Sequence, residues 1–107
     1  MAEVVTSIEE LRNRIDVIDD QLVRLLNVRV ACAVEVGRLK HEAGLPIYQP
    51  EREAQVLNAV RKAAMELAGP LTAEAVVRIF ERIIDEARRA ERAASTNEDG
   101  LGRTVDE

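Results

Sequence analysis

Two cations interrupt an apolar stripe in the first long helical segment of this chain. Arg29 stands where a series of three- and four-residue steps calls for an aliphatic side chain, and Lys40 follows eleven residues later. That spacing places both on one helical face, ~16 Å apart along the axis. Cations on a core-facing stripe are costly unless anions neutralise them, and those anions come either from acids of the core or from a ligand.

Charged residues also interrupt the apolar stripes of two later segments. Arg52 and Glu53 lie one turn before Val56, and Glu91 follows Ala87 by four residues on the inward face. Three cations and two acids around one cavity would suit a small ligand that carries two carboxylates and hydroxyl or ether oxygens. No nucleophile, metal-ligand cluster or Gly-rich phosphate loop accompanies them, so the chemistry would rest on positioning and electrostatics. No metal and no cofactor are expected.

Each interrupting charge also has an ordinary structural interpretation. Arg29 could be an internal salt-bridge partner, for instance of Glu35 or of an acid from a partner chain, and Lys40 could reach solvent from the helix end. Glu53 could simply face the positive end of its helix, and Glu91 could be solvated in a frayed last turn.

The composition limits the functional class. The chain has 107 residues, 47% hydrophobic and 2% aromatic, with a net charge of −5 and no basic patch typical of nucleic-acid binding. The single Cys32 excludes disulfide scaffolds and is expected to be a buried, inert thiol on the stripe. Neither a signal peptide nor an apolar stretch of membrane-spanning length is visible, so no membrane contact and a cytoplasmic location are expected.

The apolar periodicity predicts an all-α chain of three helices. The first, at about residues 7–42, is much longer than the second and third, at about 50–67 and 73–92. Residues 1–92 would form the domain, and residues 93–107, which lose periodicity, a disordered C-terminal tail.

The helix ends carry recognisable signals. Ser7 and Thr72 are predicted N-caps, Gly44 ends the first helix, Pro50 starts the second, and Gly69 ends the second. Two short helices cannot cover one long helix along its whole length. The sequence therefore predicts an intertwined, domain-swapped homodimer.

In these features the chain resembles the all-α, AroQ-type chorismate mutases. The resemblance runs from about Ile8 to Arg92 and is carried by four stretches in their order and spacing: LRNRIDVID at 11–19, LLNVR at 25–29, VEVGRLK at 34–40 and PIYQPERE at 46–53. It implies a Claisen rearrangement of chorismate to prephenate, in a dimer whose two sites are each lined by both chains.

The resemblance also implies roles for individual residues. Arg29 and the partner's Arg12 would clamp the two substrate carboxylates, while Lys40 and Glu91 would contact the ether oxygen at which charge develops. Lys40, Glu91 and Arg29 would thus be the catalytic residues. The full set of substrate-binding residues would be Arg12, Arg29, Lys40, Gln49, Arg52, Glu53, Ala87 and Glu91, in which Glu53 takes the ring hydroxyl and Arg52 supports it.

Three positions depart from the pattern of the resembling family. Gln49 and Ala87 stand where many members carry an acid and a serine, and Glu91 often corresponds to a glutamine. A glutamine amide donates a hydrogen bond at any pH, whereas a carboxyl group donates only when protonated. The activity is therefore predicted to depend on pH through Glu91.

The position of Arg12 gives an independent reason to expect a dimer. It precedes Arg29 by seventeen residues, ~25 Å along one helix, which is too far for both to bind a ten-carbon ligand. If Arg12 contacts the substrate, a second chain delivers it.

Two alternatives remain open at this point. One is an isochorismate pyruvate-lyase on the same scaffold, and the other is a non-catalytic helical regulatory module, which would tolerate leucine at Arg29. Similar mutases also occur in complex with the first enzyme of the shikimate pathway, so that enzyme is a further expected partner.

Overall fold

The computed structural model describes residues 2–105, and the side chains of residues 7–96. It contains three helices: α1 (Ala2–Ala43), α2 (Pro50–Leu67) and α3 (Ala73–Val105). The prediction of an all-α chain with one very long N-terminal helix is confirmed. At 42 residues, α1 extends over ~63 Å.

The beginning of α1 differs from the prediction. The helix begins at Ala2, so Ser7 lies inside it and is not the N-cap. Residues 2–6 contain neither Gly nor Pro. A single serine does not end a helix whose apolar stripe continues on the C-terminal side of that serine.

The C-terminal end of α1 is fixed by backbone hydrogen bonds around Gly44. Gly44 has a φ of +70°, in the left-handed region, and its N–H donates to the His41 carbonyl over 3.2 Å. The Leu45 N–H donates to the Lys40 carbonyl over 2.8 Å. This pair of bonds is a Schellman motif, which glycine favours because it carries no Cβ. The predicted helix end is confirmed, and the backbone of Lys40 is held by it.

The other predicted helix signals are confirmed with one adjustment. Pro50 begins α2, and the Thr72 hydroxyl caps α3 by accepting a hydrogen bond from the Ala75 N–H at 3.1 Å. The residue that ends α2 in the left-handed conformation is Ala68, with a φ of 51°, and not Gly69.

The end of α3 was predicted wrongly. The helix continues past residue 92 to Val105, because residues 87–96 consist mainly of alanine and arginine, which favour helix, and contain no Gly or Pro. The side chains beyond residue 96 lie outside the described ones, so the division into a domain and a solvated tail stays a prediction. No helix of the described chain combines the length and the apolar character that crossing a bilayer would require.

Helix α3 packs against both α1 and α2, whereas the backbones of α1 and α2 do not approach each other within the described chain. Arg29 lies over the Phe80 ring and Glu91 lies against Gly37, so α3 runs parallel to the second half of α1. Ion pairs from Arg61 to Glu74 and from Arg88 to Glu53 show that α2 runs antiparallel to α3.

The single chain has a very small core. Among the described residues only Ala64, Val77 and Ala87 are buried. The radius of gyration is 19.1 Å, compared with ~13 Å for a compact domain of this size. The N-terminal half of α1 has an uncovered apolar stripe, whose side chains are 44–65% exposed: Ile8, Leu11, Ile15, Ile18, Leu22 and Leu25. We refer to this stripe as the α1 seam.

Candidate active site

A cavity of about 930 Å³ lies where the second half of α1, the start of α2 and the middle of α3 meet. A volume of this size is ample for a small organic ligand. Seven of the eight predicted site residues line it: Arg29, Lys40, Gln49, Arg52, Glu53, Ala87 and Glu91. Arg12 does not, as expected from its position ~25 Å along α1 from Arg29.

The two α1 cations are half-buried and face the cavity. The Arg29 guanidinium carbon lies 5.9 Å from the centroid of the Phe80 ring, close enough for a cation–π contact. Neither Arg29 nor Lys40 makes an ion pair with another described side chain. Two partly desolvated positive charges therefore point into the cavity without a counter-ion among the side chains that the structure describes.

The structure rejects Glu35 as the counter-ion of Arg29. The Glu35 carboxylate accepts a hydrogen bond from Arg38 Nε at 3.0 Å, on the exposed side of α1. This hydrogen bond, assisted by the charge of Arg38, holds the pKa of Glu35 below its usual value. Glu35 is thus a charged partner of Arg38 and not of Arg29.

Glu91 lies against α1 close to the turn that carries Lys40. The position that a Cβ atom would take at Gly37 is 3.7 Å from Glu91 Oε2, an ordinary van der Waals separation. Gly37 is three residues before Lys40 on the same helical face. Because α3 continues well beyond this point, Glu91 is half-buried in mid-helix, and the interpretation as a frayed last-turn residue was wrong.

The first turn of α2 supplies Arg52 and Glu53. Their backbone N–H groups donate to the Gln49 carbonyl at 3.1 and 3.4 Å, which closes the turn and fixes where both side chains start. Arg52 is exposed and makes no ion pair with a described side chain, whereas Glu53 is half-buried and pairs with Arg88. Gln49, at the mouth of the cavity, is exposed.

Two residues of the cavity wall were missed or misjudged from the sequence. Arg88 follows Ile84 by four residues and precedes Glu91 by three, so the helical periodicity that identified Glu91 also places Arg88 beside it. Cys32 was predicted to be buried but is exposed and lines the cavity, because α3 covers only one side of the α1 stripe at that level. Ala87 is 4% exposed and offers no hydroxyl to a ligand.

Comparison with known proteins agrees with this geometry. The profile of the chorismate mutase type II family matches residues 11–92. The chain belongs to this family. A chorismate mutase (form II) from Thermus thermophilus has the same fold, with a TM-score of 0.72 and 33% identity, over 79% of this chain and 93% of that one.

Relatives of the family differ in length. The bifunctional chorismate mutase/prephenate dehydratase of Aquifex aeolicus is 40% identical over 78 residues, which are 72% of this chain but 22% of that protein. The chorismate mutase of Methanocaldococcus jannaschii is 33% identical over 63 residues, 59% of this chain and 64% of that protein. The chain thus spans about a fifth of the length of the bifunctional relatives, and all but three of the residues that line the cavity lie within the part that matches the family.

Proposed function

We propose that the protein catalyses the Claisen rearrangement of chorismate to prephenate. The observation that carries the proposal is the cavity itself, in a chorismate mutase type II domain. Arg29 and Lys40 line it without an ion pair to any described side chain, and Glu53 and Glu91 line it as well. A dicarboxylate with a ring hydroxyl and an ether oxygen matches this arrangement of charges and donors.

The reaction is intramolecular, so the protein does not have to supply a reacting group. Arg29 binds one substrate carboxylate bidentately and thereby favours the compact, chair-like conformer in which the bond-forming carbons meet. As the C–O bond breaks, negative charge develops on the ether oxygen, and the Lys40 ammonium donates a hydrogen bond to it. Glu91, beside Gly37, contacts the same oxygen when protonated. No covalent intermediate with the protein forms.

The start of α2 binds the other end of the substrate. The Glu53 carboxylate accepts a hydrogen bond from the ring hydroxyl, and Arg52 stabilises this polar wall of the cavity. Gln49 takes part as an amide in place of an acid. The methyl group of Ala87 leaves the neighbouring substrate carboxylate with one polar contact fewer.

The second carboxylate of the substrate requires Arg12 from another chain. A homodimer is supported by the α1 seam, which precedes the cavity along α1 and which the described part of the chain does not cover. A second copy that covers the seam would bring its own Arg12 to the cavity. Burying such a stripe supplies hydrophobic stabilisation that the three buried residues of the described chain cannot provide.

A partner enzyme and a cellular location are suggested only by the family to which the chain belongs. The bifunctional relatives join this domain to a second enzyme in one chain, and a complex with the first enzyme of the shikimate pathway would be a non-covalent equivalent. This partnership and a cytoplasmic location remain predictions.

The direct test is turnover by the purified protein. We expect chorismate to be consumed and prephenate to appear, while isochorismate is not cleaved to pyruvate. Ultraviolet absorbance suits the measurement, because the chain has no Trp and Tyr48 is its single tyrosine. Pyruvate release from isochorismate would favour the lyase alternative, and inertness toward both substrates would favour a regulatory module.

The substitution Glu91→Gln is expected to change the pH dependence of the rate. The parent should lose activity as the pH rises, because a carboxylate cannot donate to the ether oxygen, whereas the amide donates at every pH. Above neutral pH the rate of the Glu91→Gln variant should exceed that of the parent by ~10-fold. This factor is smaller than the usual full contribution of a positioned proton donor.

The control for this experiment is Glu86→Gln. Glu86 lies on the same helix, pairs with Arg82 at 2.7 Å and does not line the cavity. Its replacement should leave the pH–rate profile unchanged. A Glu91→Gln profile that superimposes on that of the parent contradicts the assigned role of Glu91.

A further inference from the structure

Arg88 connects two carboxylates at the wall of the cavity. Its Nη1 donates to Asp85 Oδ1 at 3.0 Å, one turn earlier on α3, and its Nη2 pairs with Glu53 Oε1 on α2. The guanidinium therefore links a residue of its own helix to a predicted substrate-binding residue of another helix.

The pair between Arg88 and Glu53 is the most protected of the ion pairs in the described chain. The Glu53 side chain is 24% exposed and that of Arg88 39%, whereas the second bridge between α2 and α3 ends at Glu74, which is 68% exposed. Partial desolvation strengthens a charge-assisted hydrogen bond and weakens its screening by salt. The Arg88–Glu53 pair is thus suited to hold its members in one geometry.

From these contacts we infer that Arg88 is a positioning residue, which orients the Glu53 carboxylate for the substrate hydroxyl. Arg88 engages Oε1 of Glu53, so that Oε2 can accept from a ligand. A glutamate side chain has three rotatable bonds, and fixing them before the ligand binds removes that ordering cost from the binding step. Asp85 holds Arg88 in turn. The inference rests on the proposed function, in which Glu53 binds the ring hydroxyl.

The charge of Arg88 is used differently from the charges of the three cations in the predicted substrate-binding set that line the same cavity. Its guanidinium faces two protein carboxylates, whereas Arg29, Lys40 and Arg52 make no ion pair with a described side chain. Arg88 therefore serves the hydroxyl-binding wall, and the dicarboxylate clamp does not depend on it.

A double-mutant cycle on kcat/KM for chorismate tests this role. Arg88→Gln alone should lower kcat/KM by ~10-fold, because Glu53 loses its orientation. In a Glu53→Gln background the same change should cost less than ~2-fold, since the residue that Arg88 orients no longer binds as a carboxylate. Arg88→Lys should recover part of the loss, because a lysine restores the charge without the fork.

Arg89→Gln is the matched control, because it removes the same charge one residue further on. Arg89 is 62% exposed and lies off the cavity, and its variant should keep the kcat/KM of the parent. The inference is overturned if the losses of kcat/KM in the Arg88→Gln and Glu53→Gln variants simply multiply in the double variant. It is also overturned if the two substitutions are coupled in the midpoint of thermal unfolding but not in kcat/KM. A parent that does not rearrange chorismate overturns the proposed function, and this inference with it.

Discussion

Replacing Lys40 by alanine is expected to lower kcat for chorismate rearrangement by ~10²-fold or more while the protein stays folded. The reason is that Lys40 supplies a positive donor at the ether oxygen, where charge develops only as the bond breaks, and losing one such donor typically costs this much. Initial-rate measurements at saturating chorismate give kcat, and the far-ultraviolet circular dichroism of the variant reports its helices.

The structure explains why this variant should fold. Only the side chain of Lys40 is lost, whereas its carbonyl still accepts the Leu45 N–H that ends α1, and the lysine makes no ion pair with another described side chain. Lys62→Ala on the exposed side of α2 is the matched control, and it should turn over chorismate like the parent. A folded Lys40→Ala protein with the kcat of the parent would refute the assigned mechanism.

Two variants with substitutions in different regions of α1, each nearly inactive alone, are expected to recover activity when their chains form mixed dimers. Arg12→Ala and Lys40→Ala should each reduce kcat/KM by ~10²-fold, because each removes one charged partner from a desolvated contact. In a mixed dimer, one cavity receives an intact Arg12 and retains its own Lys40, while the other lacks both. Random assembly then yields about one quarter of the parental activity.

The mixture has to be refolded together from denaturant, because intertwined chains exchange only when they separate. The control mixes Lys40→Ala with Arg29→Ala. Both of these residues line the same cavity of one chain, so every site in every dimer lacks one of them, and no activity should return. Failure of the first mixture to recover, or recovery in the control, would contradict a site shared between two chains.

Much of the fold follows from local signals in the sequence. Pro50 and Thr72 begin their helices as expected, and Gly44 ends α1, because these effects act within one turn of the chain. The predicted ends failed where no local signal exists. At Ser7 and after residue 92, continued helix formation depends on the neighbouring helix formers and not on a stop residue.

The same distinction holds for the candidate site. Periodicity identified Arg29, Lys40 and Glu91, because charged residues that interrupt an apolar stripe face the same interior surface as the stripe. It could not show that Cys32 is left open at the cavity, since this depends on which side of α1 the third helix covers.

By itself, then, the sequence determined three helices, their apolar faces and the charged residues that break those faces, since each of these is a property of residues within a few turns of one another. Only the tertiary structure decided which of those residues meet. It placed Glu91 against Gly37 and Arg88 on Glu53, across helices whose separation in sequence carries no distance information. Contacts of this kind depend on how α3 packs between α1 and α2. That arrangement is determined by the packing of the whole chain and not by any local pattern.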